Sequence, residues 1–149
     1  MAHIEGSGLV ARLSADQLAY LESVGEERHF EENEILFSED GSADEFHVIV
    51  SGRVGLELSG PRMGPLVIQT LGRGDLVGLS WLFPPYRWAW RARARVATTT
   101  IAFDAAQVRE HCDRDVSFDR AFTSIVAREA LRRLQATRTQ ILDLYEVPK

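Results

Sequence analysis

The chain has one cysteine, Cys112, in 149 residues. No internal disulfide can form, and the fold must rest on its own core. No charged-then-apolar leader precedes a small-residue cleavage site, so the expected compartment is the cytoplasm. No apolar run approaches the roughly 20 residues of a membrane span, because Gly, Pro or Arg breaks each one. The four histidines, His3, His29, His47 and His111, include no H-x-H pair. That argues against the metal sites built inside some β-barrels. There is no G-x-S-x-G elbow, no G-x-x-x-x-G-K-S/T loop and no carboxylate pair at a shared site, so no residue set for catalysis emerges and no cofactor is expected. The net charge of −5 argues against a broad nucleic-acid face.

What is present is 45% hydrophobic residues, enough for one domain to bury a core. Residues 1–12 read as a flexible N-terminus and 13–149 as the domain. Ser14-Ala15-Asp16-Gln17 has capping-box spacing, and Leu18, Leu21 and Val24 give the helix behind it an apolar face over Ala15–Val24. From Glu27 the period changes. Glu34–Ser38, Glu45–Ser51, Gly52–Leu58, Leu66–Leu71 and Arg93–Phe103 read as strands. The turns between them fall at Asn33-Glu34, Asp40-Gly41, Ser51-Gly52, Gly60-Pro61 and Gly72-Arg73-Gly74-Asp75. The class is mainly β with flanking α-helices, arranged as a roll or barrel.

Beyond Asp104 the pattern is helical, and about 116–145 holds neither Pro nor Gly. Ala127, Ala130, Leu134, Thr137, Ile141 and Leu144 follow a 3-then-4 spacing, a narrow seam that calls for a partner helix and hence a homodimer. Leu131 and Leu142, off the seam, are available to pack on the roll. Arg128, Arg132, Arg133 and Arg138 read as charges flanking the seam. All three tryptophans fall in Leu79–Trp90, a cluster that either plugs a cavity or lines one. Arg87, Arg91, Arg93 and Arg95 lie beside it. The last three alternate as one strand face, solvated or, alternatively, forming an anion site or cation–π contacts.

Glu34-Ile35-Leu36-Phe37-Ser38-Glu39-Asp40-Gly41, running on through Phe46–Val54, resembles the cyclic nucleotide-binding domain of the catabolite activator and FNR type. Asn33 stands where that family usually has Gly. Gly74-Asp75-Leu76-Val77-Gly78 resembles the entry of the family's phosphate-binding cassette, and Ala94–Asp104 its exit strand. The resemblance implies a β-roll (double-stranded jelly roll) with a long C-terminal dimerisation helix, and a non-catalytic regulatory, sensor or adaptor role. It also implies a ligand pocket drawn from Gly78, Leu79, Ser80, Trp81, Arg87, Trp88, Ala89, Thr137 and Arg138. By the same alignment Leu79 stands where the family has its ribose-binding Glu, Trp88 where it has its phosphate-binding Arg, and Trp81 where it has a small residue. Leu accepts no hydrogen bond, and an unpaired buried phosphate is costly. Cyclic nucleotide is therefore not expected in the usual mode. The alternative is that Arg87, one residue away, takes the phosphate, with Thr137 of a Leu134-Gln135-Ala136-Thr137 segment on the base. That Thr is better explained by packing or by bonding its own backbone. A purely structural dimer that regulates an unknown protein partner stays open. With only Val147, Pro148 and Lys149 beyond the last helix turns, no DNA-reading element is expected.

Overall fold

The computed structural model describes residues 12–59 and 64–145. Nearly all of the N-terminal stretch, the Gly60-Pro61 turn and the last four residues lie outside them. Helix α1 spans Ala15–Val24, as its capping box predicts. Ser14 Oγ accepts from Gln17 N at 3.2 Å, and Gln17 Oε1 accepts from Ser14 N at 2.8 Å. Eight strands follow: β1 Glu26–Phe30, β2 Ile35–Phe37, β3 Glu45–Ser51, β4 Val54–Ser59, β5 Pro65–Leu71, β6 Leu76–Val77, β7 Arg91–Ala94 and β8 Thr98–Asp104. They form two four-stranded antiparallel sheets, ordered β1-β8-β3-β6 and β2-β7-β4-β5. Helices α2 Ala105–Arg114 and α3 Val116–Tyr145 close the chain. This is the expected β-roll with a long C-terminal helix of the expected bounds.

Three strand expectations need correction. The segment Arg93–Phe103 is two strands in different sheets, β7 beside β4 and β8 beside β3. The chain turns at Arg95-Val96-Ala97, where the buried Thr98 hydroxyl donates to Val96 O at 2.8 Å and accepts from Arg53 N at 3.2 Å. Strand β1 is absent from the sequence reading. Its Glu-Glu-Arg-His-Phe sequence carries no apolar alternation, because it pairs only with β8 at the sheet edge and is mostly exposed. Strand β4 begins after Gly52, whose φ of +100 and whose approach to Ala97 O, 2.7 Å from where a Cβ would stand, fit no other residue. Asn33, at φ 74, adopts the left-handed backbone its turn requires.

One core lies between the sheets, where Ile49, Val54, Leu56, Leu71, Val77 and Ala92 pack together. A second joins the roll to the helices. There Phe46 and Phe103 of the roll meet Phe118 and Phe122 of α3, all fully buried. Asp104 caps α2 by accepting from Gln107 N at 2.9 Å, and Asp115 caps α3 by accepting from Phe118 N at 3.1 Å.

His47 of β3 is 2% exposed. Its Nδ1 lies 2.8 Å from Thr100 Oγ1, and Glu45 is 3.6 Å from Nε2. Burial, and secondarily the Arg28 guanidinium, push its pKa down from 6.5 to about 4. Glu45 does not offset this, since Arg28 takes up its carboxylate at 3.1 Å. A depressed pKa means that the unfolded chain binds the proton more readily. The stability His47 contributes is therefore complete above pH 6.5 and lost as the pH falls from 6.5 to 4. Urea denaturation across that window should show a loss of about 3 kcal/mol that His47→Gln lacks. Equal pH dependence in the two proteins would contradict it.

Candidate ligand-binding site

The site is built from a turn. Gly72 N donates to Asp75 Oδ2 at 2.8 Å and Gly74 N to Ile49 O at 2.8 Å, which seats β6 on the edge of β3. Gly78 follows at φ +97 and turns the chain away from the sheet into a single 3-10 turn, Ser80–Leu82. Pro84 and Pro85 bar any longer helix. The chain then returns along the Asp40-Gly41 turn. Trp88 N donates to Gly41 O at 2.9 Å, Asp40 N donates to Trp88 O at 2.9 Å, and Ser42 and Arg87 form a β-bridge.

That extended backbone settles where neighbouring side chains go, since successive residues point to opposite faces. Trp88 turns inward, 3% exposed, and stacks on Phe37 with centroids 3.9 Å apart. Arg87 turns outward, is exposed, and donates from Nη1 to Asp40 O at 2.7 Å. Trp81, on the 3-10 turn, goes the other way into the helix-side core. It stacks on Phe46 at 4.0 Å and meets Phe122 edge-on. Its Nε1 has no hydrogen-bond acceptor among the described residues.

A cavity of about 390 Å³ opens between this segment and α3. Of the nine residues expected to form the pocket, Gly78, Leu79, Ser80, Trp88 and Thr137 line it. Trp81 is in the core, Arg87 and Ala89 face solvent, and Arg138 is exposed away from the cavity. Phe37, Leu56 and Trp90 complete its apolar wall. The aromatic cluster divides, one tryptophan filling and two lining.

The cation of the cavity is Arg133, not expected there. It is 8% exposed, donates from Nη2 to Leu76 O and from Nε to Glu129 Oε1, and burial lowers its pKa from the ordinary value. The sequence does carry the signal. Phe122 and Val126 are buried on α3, and continuing their spacing gives Ala130, Arg133, Thr137 and Gln140. Gln140 Nε2 accordingly donates to Val67 O at 3.2 Å. The expected seam splits along the same line. Ala130, Leu134 and Thr137 line the cavity, while Ala127, Leu134 and Ile141 are exposed. Leu144 belongs to the helix, but its side chain is outside the described residues. Leu131 and Leu142 do not pack on the roll: they are 56% and 59% exposed.

The arginine row of β7 is not a solvated face. Arg91 and Arg93 are half-buried and converge on the buried Glu57, at 2.9 Å and 3.2 Å, while Arg95 is exposed. The cation–π contact is Arg109 over Tyr86, at 4.1 Å. Among the described residues no three His, Cys, Asp or Glu side chains converge as a metal site would need, and no helix is long and apolar enough to cross a membrane.

The family model of the cyclic nucleotide-binding domain matches residues 27–115, which spans the whole roll and the cassette. The chain belongs to the cyclic nucleotide-binding domain family. A candidate cyclic nucleotide-binding protein from Geobacter metallireducens GS-15 is 25% identical over 86% of this chain and 92% of its own, with a TM-score of 0.76. A cyclic nucleotide-binding domain from Methylobacillus flagellatus KT is 15% identical over 91% of this chain and 76% of its own, with a TM-score of 0.80. The catabolite activator protein of Thermus thermophilus is 20% identical, with a TM-score of 0.72, and the match covers 93% of this chain and 62% of that one. The last two likenesses concern fold. No curated protein sequence matches.

Within this family member the cassette glycine and Trp88 depend on each other. A Cβ at Gly78 would stand 2.5 Å from Trp88 Cη2, at a φ that side chains rarely adopt. Gly78→Ala should cost about 2–4 kcal/mol in chemical denaturation, combining left-handed strain with overpacking against a rigid ring. It should also shift the tryptophan emission. A change under 0.5 kcal/mol, on the order of a neutral surface substitution, would contradict that packing.

Proposed function

We infer that the chain is a non-catalytic regulatory module of its family whose cassette does not take a cyclic nucleotide in the usual mode. The observation that carries this reading is the pair of neighbours Arg87 and Trp88. The cation faces solvent on Asp40 O, and the indole lies against Gly78 where the family places its phosphate-binding Arg. Leu79, in the position of the ribose-binding Glu, lines the cavity with carbon. A cyclic phosphate entering here meets no cation from the cassette, the partner the family's usual mode relies on. Calorimetric titration of cAMP and cGMP into the full chain should show no binding at micromolar concentrations. Micromolar binding abolished by Arg87→Ala would overturn the reading in favour of a cyclic-nucleotide receptor.

The module works as a homodimer through α3. Leu131, Leu134, Ile141 and Leu142 are between 48% and 65% exposed along one stretch of helix, more contiguous apolar surface than an isolated helix face needs. Ala127, Leu131, Leu134, Arg138 and Ile141 repeat at 4-3-4-3, the spacing of a two-helix seam. Light scattering should give twice the chain mass, and Leu131→Glu with Ile141→Glu should give the single-chain mass with an unchanged circular dichroism spectrum. A wild-type monomer would sink the dimer.

A further inference from the structure

The cavity left without the cassette's cation has its own recognition chemistry, and assigning it a ligand rests on the function proposed above. Its wall is aromatic and aliphatic on the roll side, through Phe37, Leu56, Trp88 and Trp90. Against that wall stands one charged side chain, Arg133, more than nine-tenths buried. Two of its nitrogens are used, Nη2 on Leu76 O and Nε on Glu129 Oε1. Nη1 has no acceptor among the described residues, and it is not sealed in the core as Trp81 Nε1 is. Guanidinium stays protonated at any ordinary pH, so this donor keeps its charge.

The neighbouring carboxylates leave that donor free. Glu129 Oε1 serves Arg132 and Arg133 together, and the second carboxylate nearby, Asp75, is 3.8 Å from Arg132. One cation, then, sits at the edge of an apolar box with a free donor. Ser80 and Thr137 add the remaining side-chain hydroxyls of the lining. A cavity of about 390 Å³ falls at the small end of ligand sites, where a few polar groups fix the orientation of an apolar body.

We propose that this cavity binds a small aromatic or aliphatic monocarboxylate, its apolar body between Trp88 and Trp90 and its carboxylate on Nη1 of Arg133. One charge matches one guanidinium. A phosphate dianion brings a second charge for which the lining has no cation, and a neutral ligand leaves the buried donor unanswered.

Three probes differing only in the head group test this on the full chain: 4-phenylbutyrate, 4-phenylbutyramide and 3-phenylpropyl phosphate, followed by calorimetry and by tryptophan emission. The acid should bind saturably, about 10- to 100-fold tighter than the amide, the range of a charged hydrogen bond, and tighter than the phosphate. Arg133→Gln should bring the acid-to-amide ratio to about one. Leu79→Glu, which sets a like charge in the same cavity without touching Arg133's bonds, should weaken the acid at least about tenfold and leave the amide unchanged. No saturable binding of the acid, equal affinity for acid and amide, tighter binding of the phosphate, or acid binding indifferent to Leu79→Glu would each overturn the proposal. If cAMP binds through Arg87, the proposed function fails first. If neither cAMP nor the acid binds, only the monocarboxylate site fails.

Discussion

The indole of Trp81 lies flat on Phe46, 4.0 Å between centroids and within 7° of parallel, with Phe103 5.1 Å from the same Phe46 ring. Phe122 meets that pair edge-on from α3. Three elements are joined at this point: β3 of the roll, the 3-10 turn of the cassette, and the first half of the long helix. Such aromatic pairs contribute roughly 0.5–1.5 kcal/mol each beyond their buried area, and the area itself is fully removed from water. The indole N–H has no acceptor among the described residues, so the stack rests on burial and ring packing rather than on hydrogen bonding. The cassette is thereby fixed at its middle, and its ends are free to be set by local geometry, at Gly78 on one side and the Asp40-Gly41 turn on the other.

That anchoring also decides what α3 can do. Its first half, through Phe118, Phe122, Ile125 and Val126, is part of the core. Past Val126 the one buried side chain among the described residues is Arg133, and below it Gln140 reaches Val67 O. The second half thus lies over the cavity mouth on a few polar contacts, the Arg132–Asp75 pair at 3.8 Å among them, and little apolar packing. A helix end supported this way opens more cheaply than one sealed by leucines, since stability follows buried apolar contact.

Much of this was legible in the residues. The capping box at Ser14, the bounds of α1 and α3 and the turns at Asn33 and Gly52 rest on local rules that tertiary context does not override, and the cassette entry at Gly78 on the family resemblance. What failed did so for identifiable reasons. Strand β1 is an edge strand with polar faces, so period-2 patterning had nothing to detect. The break at Arg95–Ala97 carries no Gly or Pro, because Thr98 makes the corner through its hydroxyl. Arg133 groups with its exposed neighbours when charge alone predicts solvent, whereas helical phase, carried forward from Phe122 and Val126, predicts the cavity. The tryptophans of the cluster could not be assigned to opposite sides without knowing that Trp81 sits on a 3-10 turn and Trp88 on extended backbone.

Leu134 joins the cavity to the proposed dimer seam. It lines the cavity and is 65% exposed, so the same side chain borders the ligand space on one side and the apolar row of α3 on the other. Arg133 precedes it on the same turn. An anion on the free Nη1 pulls on a guanidinium already bonded to Leu76 O and Glu129. Loosening the bond to Leu76 O changes how α3 is held to β6. An occupant of the proposed site would therefore act on the helix one residue from Leu134, a position of the proposed seam. The coupling requires only that the two helix positions differ in their affinity for the occupant. The contacts that differ are those of Arg133. Had the cavity cation come from the cassette, as Arg87 does not, its occupant would act on the roll instead, which the Trp81 stack holds rigid. Placing the charge on α3 makes the loosely packed half of the helix the part that responds.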